Sequence, residues 1–289
     1  MKKLSFSIVL YILLTLLPLS LGLIYAFLYS IGAIGALSSG ITLAHWARVF
    51  EEGVFVQSLF LSIGIAMLAM LISVTIALWI CIHRNSKTSN ERAGVPFIWY
   101  VPLSIPPMIA AFLGFQFLGN TGVLSRVFFQ LGILKDSSDF LPLINDYFHF
   151  GILISFVLMT FPYFLLLFFN IYEQEKLTTY TALSSTLGAT QRQIQRYVVV
   201  PILLQKARAN IVLWTIFLAS AYEIPLLLGK QSPNMISVLI GQKFKKFNLD
   251  EMPQAYAITV LYAVLVIGVI LWSNKKSPTQ PSPKERASS

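Results

Sequence analysis

The chain has 289 residues, 56% of them apolar and only 11% charged, with a net charge of +9 and a pI near 9.6. Soluble domains carry about a quarter charged residues, and disordered chains combine low hydrophobicity with high charge, so this composition excludes both. The single cysteine, Cys81, leaves no disulfide framework or cysteine cluster within one chain, and His45, His83 and His149 show no ligand spacing, so no metal is expected.

A membrane helix needs about 20 consecutive, mostly apolar residues. Six stretches qualify in chain order: Phe6 to Tyr29, Val54 to Ile82, Val95 to Leu118, Phe148 to Tyr172, Ala207 to Leu228 and Pro253 to Trp272. None alternates in polarity as a barrel strand would. The expected fold class is therefore all-α: a polytopic membrane protein with six transmembrane helices. The first span follows Lys2 and Lys3, but it contains Pro18 and Gly22 and exceeds the roughly 7–15 apolar residues of a secretory signal. It reads as an uncleaved membrane helix.

Of the 21 lysines and arginines, 14 lie in the two tails and in the loops after the second and fourth spans; the other side holds 7. The positive-inside bias places both termini in the cytoplasm, and the expected location is the cell (inner) membrane. The basic charge is accounted for by topology and lipid, and a nucleic-acid partner has nothing left to explain. The outer loops have only about 24, 29 and 24 residues. The domain organisation is then a first helix with its outer loop (1–53), a transmembrane domain (54–272) and a polar, proline-rich tail (273–289) expected to be disordered.

The cytoplasmic loop from Glu173 to Lys206 is amphipathic. Its centre, Thr181 to Pro201, looks like two short helices joined at Gly188, a residue that tolerates the left-handed conformation ending a helix. Pro201 fits the first turn of the next helix, where its missing N–H costs little. Such an exposed pair of helices can be gripped by a soluble partner, or can be a solvated linker.

The same loop resembles the EAA loop of permease subunits in binding-protein-dependent ABC importers of the type I fold. In that pattern Ala182, Leu183 and Ser184 take the three opening places, Gly188 is the glycine, Val198 and Val200 take the aliphatic places and Pro201 the proline. The spacings match, whereas the opening glutamate and both alanines are replaced. Val101-Pro102-Leu103-Ser104-Ile105-Pro106-Pro107, Asn120-Thr121-Gly122-Val123-Leu124, Leu131-Gly132-Ile133 and Phe161-Pro162-Tyr163 are similar to further family segments. The stretch from Tyr222 through Gly229 to Pro233 resembles the polyamine, iron, sulfate and phosphonate branch.

The resemblance implies half of a translocation path, completed by a second permease subunit that is identical or different. An external binding protein would deliver substrate, and a cytoplasmic ATPase would dock on Ala182, Leu183, Ser184, Leu187, Gly188, Ala189, Val198, Val200 and Pro201. The chain has no G-x-x-x-x-G-K-[ST] phosphate loop. It is expected to be no enzyme, to carry no catalytic residues and to need no cofactor, with ATP hydrolysed by a partner.

Glu223 is the one acidic residue inside an expected span, and intramembrane charge is costly and often functional. With Tyr222, Gln116 and Asn120 it forms the set of pathway candidates, although an exposed or structurally paired carboxylate is the favoured reading of Glu223. Pro102, Pro106, Pro107, Pro162 and Pro225 either shape a cavity or are ordinary kinks. The alternative function is an ion-coupled secondary transporter, in which Glu223 would carry the ion.

Overall fold

The computed structural model describes residues 6–35, 40–85, 99–136, 139–246 and 249–275, which form helices and turns and no strand. The basic residues Lys2, Lys3, Lys87 and Arg92 and the tail from 276 to 289 lie outside the described residues. Among the described residues, six helical stretches are long and apolar enough to cross a membrane: Leu10–Ser30, Val54–Arg84, Pro107–Gln130, Phe150–Gln174, Gln191–Ala219 and Glu251–Ser273. The chain divides into two compact units, Ser58–Ser237, and Met1–Gln57 with Val238–Ser289.

The first of these units holds most of α3 (Val54–Asn85), a 3₁₀ turn (Val101–Ser104), α4 (Pro107–Leu118), α5 (Val123–Gln130), α6 (Phe150–Gln174), α7 (Leu177–Thr186), α8 (Gln191–Ile194), a π-helical turn (Gln195–Val199), α9 (Val200–Ala219) and α10 (Glu223–Leu228). Helix α6 is its centre, the most buried of the six long apolar helices, with Phe156, Phe164, Leu165 and Phe168 fully enclosed. Polar groups at this depth must find partners inside the protein. Ser73 of α3 meets Thr160 of α6 at 2.6 Å, and Tyr163 of α6 donates to Asn210 of α9 at 2.8 Å.

In the other unit, α1 (Phe6–Ser30) packs along α12 (Glu251–Lys275), and the rings of Tyr29 and Tyr256 lie 4.4 Å apart. Helix α1 is almost wholly unburied, so its exposed Leu13, Leu14, Leu16 and Leu19 form an apolar face of the kind that marks a lipid contact. Helix α2 (Ala44–Glu51) is held by Val49, which is buried, and by the Trp46 indole donating to the Ser30 hydroxyl at 3.2 Å. The buried ammonium of Lys243, at the end of α11 (Ile236–Lys245), meets Gln254 at 2.6 Å, Glu52 at 3.0 Å and Glu251 at 3.5 Å.

Two expected spans are corrected. The third does not begin at Val95. Residues 95–98 lie outside the described residues, Val101–Ser104 is a 3₁₀ turn, and the α-helix starts at Pro107. Apolarity alone does not make a helix: Ile105, preceding Pro106, is extended (φ −86°, ψ 117°), as a residue before proline prefers, and Pro107 then occupies the first helical position. The fifth span is not Ala207–Leu228. The helix that holds it runs unbroken from Gln191 to Ala219, and Glu223–Leu228 is the separate α10. Pro225 lacks the N–H that would bond the Ala221 carbonyl and its ring clashes there. That carbonyl instead accepts from the Ser237 hydroxyl.

The second helix of the loop between the fourth and fifth spans is likewise not a separate element, and Pro201 does not open a new helix. Helix α8 runs through the π turn directly into α9. The wider turn just before Pro201 re-routes the ladder around the missing donor.

Candidate functional site

The elbow between α6 and α9 is built by its caps. Lys176 adopts the left-handed conformation (φ 49°) and turns the chain out of α6, and Leu177, fully buried, anchors the start of α7. Helix α7 closes with two bonds, Gly188 N–H to Ser185 O at 3.0 Å and Ala189 N–H to Ser184 O at 3.1 Å. This is the paired closure that places a left-handed residue after the last turn. Gly188 has φ +84°, and a Cβ there would meet nothing within 4 Å. Glycine is therefore required by the backbone and not by crowding. Helix α8 then opens with a capping box. Thr190 N–H donates to Gln193 Oε1 at 2.8 Å, and Gln193 N–H donates back to Thr190 Oγ1 at 3.4 Å.

The elbow leaves apolar side chains in the open. Leu187 is 87% exposed and Leu183 57% exposed, beside an exposed Ala182. Ser184, Leu187, Gly188, Ala189 and Val198 line one notch of about 400 Å³, together with Gln193, Ile194 and Tyr197, which belong to no expected motif position. Val200 is half-buried and Pro201 exposed, and neither lines the notch. No acidic residue occurs from Lys176 to Tyr222, whereas Arg192 and Arg196 are both exposed. Lys206 pairs with Glu175 at 2.7 Å, and the Arg196 guanidinium sits 5.8 Å from the Tyr197 ring. The elbow is thus an apolar knob with a positive rim.

The pathway candidates separate into two places. Gln116, near the end of α4, and Asn120, in the turn after it, line one polar pocket of about 370 Å³ with Arg126 and Asn145. Tyr222 and Glu223 lie at the α9–α10 break and do not line it. Glu223 is half-buried, and its carboxylate has no hydrogen bond or ion pair among the described residues. Helix α10 packs on α4 where Gly114 permits it: a Cβ at Gly114 would meet Ser155 Oγ of α6 at 2.9 Å and Leu228 of α10 at 3.0 Å. Of the prolines, Pro102 lines an apolar cavity of about 450 Å³ with Leu113, Phe117, Leu158 and Phe161.

Among the described residues no group of three histidine, cysteine or acidic side chains could hold a metal ion. No protein-family model matches the sequence, and neither does any curated protein. The fold does match that of a solved structure described as a bacterial ABC transporter involved in the import of the acidic polysaccharide alginate. The TM-score is 0.66 at 18% sequence identity, over 94% of this chain and 92% of that one. The chain is therefore an all-α, multi-pass membrane protein with the fold of an ABC importer permease.

Proposed function

We propose that this chain is the transmembrane permease subunit of an ATP-driven importer in the inner membrane, with both termini cytoplasmic. It forms half of the substrate pathway beside a second permease subunit, receives substrate from an external binding protein, and docks a cytoplasmic ATPase through residues 173–206. Within that family, the polyamine, iron, sulfate and phosphonate branch is the finer placement, on the motif order of residues 222–233.

The observation that carries the reading is the elbow. Two leucines stand exposed on a stiff, doubly capped turn. Burying each leucine against a partner is worth about 1.5–3 kcal/mol, enough for two of them to anchor a transient protein contact. The elbow is continuous with α9 through the π turn, and α9 is tied to α6 by Tyr163 and Asn210. A push on the knob is thereby delivered to two spanning helices as a rigid-body motion.

The test is copurification from the native host in mild detergent. Wild type brings down an ATPase, and a Leu183→Asp/Leu187→Asp variant that still inserts does not. A second permease in the same complex fixes the stoichiometry. A stable wild-type chain that comes down alone ends the ATP-driven reading. The unpaired Glu223 carboxylate then makes an ion-coupled transporter the reading to pursue, with Glu223→Gln as its first variant.

A further inference from the structure

The polar pocket after α4 has a definite chemistry. Its turn is closed by glycines: a Cβ at Gly122 would lie 2.5 Å from Gln116 O and 2.8 Å from Gly119 O. The Gly122 N–H donates to Gly119 O at 2.8 Å, so the chain folds back tightly enough to set Gln116 and Asn120 around one concavity. Arg126, on α5, is oriented by its Nε–H, which donates to the Thr121 carbonyl at 3.1 Å. That bond leaves its two terminal nitrogens unspent among the described residues. Asn145 enters from the segment before α6, held by its backbone N–H on Leu228 O at 2.9 Å.

Three amides and one guanidinium therefore converge without a carboxylate among the lining residues. The adjacent Asp146 is buried, and its Oδ2 accepts from the Phe150 N–H at 2.9 Å. The lining residues carry one positive charge, on Arg126, and several hydrogen-bond donors, while the adjacent Asp146 keeps its Oδ1 buried without a hydrogen-bond partner. Phe115 and Ile144 supply an apolar wall on the same concavity.

The exposed Arg126 guanidinium, oriented by that one bond, matches an oxyanion with two parallel hydrogen bonds from its terminal nitrogens. Amides, each both donor and acceptor, match hydroxyl groups, and an aromatic wall matches the C–H face of a compact ring. A volume of about 370 Å³ lies within the range of small-molecule sites, about 300–1,000 Å³. We propose that this pocket binds a hydroxylated organic anion, with Arg126 on its oxyanion and Gln116, Asn120 and Asn145 on its hydroxyls. Resting on the importer reading, this names the substrate class that the pathway accepts. The oxyanion is a carboxylate or a phosphoester, and the two are separated by experiment.

The experiment uses the full chain in lipid nanodiscs, with equilibrium binding of glucuronate, glucose 6-phosphate, glucose and putrescine. At least one of the two anions binds ten-fold or more tighter than glucose and putrescine, and the tighter anion identifies the oxyanion. Arg126→Gln removes that preference. Because Arg126 also braces the turn, Asn120→Asp is the second variant: it leaves the Arg126–Thr121 bond in place, adds a negative charge, and lowers anion binding ten-fold or more. Equal binding of glucose, preference for putrescine, no binding of any probe, or anion binding unchanged in both variants overturns the assignment. ATPase capture by wild type alongside no anion binding sinks this proposal alone. Anion binding without ATPase capture sinks the importer reading and leaves the pocket standing.

Discussion

The Tyr163 hydroxyl of α6 donates to the Asn210 side-chain oxygen of α9 at 2.8 Å, with the Trp214 ring 4.9 Å from that of Tyr163. Asn210 lies in an apolar span, where an amide without partners costs several kcal/mol. Even so, measured hydrogen bonds between membrane helices average only about 0.6 kcal/mol, because the unfolded chain also finds partners. Tyr163→Phe should therefore lower stability by about 0.6 kcal/mol in a denaturing-detergent titration. Its cost should vanish in an Asn210→Leu background. A loss of several kcal/mol would mean that the pair holds more of the bundle than one bond.

Gly188 provides a sharper case, since its φ of +84° stands in open space. Alanine would add no clash, only the backbone penalty of about 1–2 kcal/mol for a left-handed residue. Gly188→Ala should speed hydrogen exchange across the end of α7 and weaken ATPase capture several-fold. Gly188→Asn should lie between alanine and wild type, because asparagine tolerates that conformation. Equal exchange in all three would show that the elbow is not set by this residue.

The Thr190–Gln193 box adds a local term. Replacing a threonine cap by alanine costs about 1 kcal/mol, whereas serine keeps the acceptor. Thr190→Ala should fray α8, seen as faster exchange at Arg192 and Gln193, and Thr190→Ser should not. With the elbow loosened, the exposed Leu187 would dock less often, and ATPase capture should fall with exchange protection in the same order of variants.

Much of this architecture was legible in the residues. Six apolar runs give six spans because lipid leaves the backbone no option but to bond within each segment. What composition could not show is where a proline redirects the chain. Val101 to Ile105 is as apolar as a span, yet Pro106 and Pro107 postpone the helix. Pro201 reads as a helix start, yet the preceding π turn carries the helix through it. Gly188 was readable from its place between two helical patterns. The T-x-x-Q cap beside it, Thr190 to Gln193, is a capping box that the structure brings out. The pocket of Gln116, Asn120, Arg126 and Asn145 was only half legible, because Asn145 is distant in sequence and arrives through a backbone bond to Leu228.

In the unit formed by the two ends of the chain, Lys243 is 7% exposed on its side chain and holds Glu52, Glu251 and Gln254. Removing one partner from a fully buried pair costs about 3–5 kcal/mol. Here the cost is smaller. Glu52 is 44% exposed and regains water, and Glu251 keeps Lys246 at 2.8 Å. Lys243→Met should destabilise this unit by about 1–3 kcal/mol, the range for an orphaned buried polar group, and Glu52→Gln by under about 1 kcal/mol, as for an exposed pair. Thermal unfolding in nanodiscs orders the two, and a larger effect for Glu52→Gln would refute the network as drawn.

His45, in the same unit, supplies a pH dependence with a definite sign. Burial disfavours its charged form and the Arg48 guanidinium adds repulsion, only partly offset by Asp250, so its imidazole titrates below the ordinary 6.5. Its Nδ1 is buried without a hydrogen-bond partner. In the unfolded chain the ring takes up a proton near 6.5, whereas the folded chain takes it up only at lower pH. Across that window the unfolded state binds more protons, so stability rises with pH. It is complete above 6.5 and declines as pH falls toward the depressed folded value. The melting temperature of wild type should drop more between pH 7.5 and pH 5.5 than that of His45→Gln, which cannot titrate. Parallel profiles for the two would remove His45 from the acid sensitivity of this unit. A wild-type melting temperature that falls less than that of His45→Gln over the same interval would mean that the charged ring has a partner in the folded state.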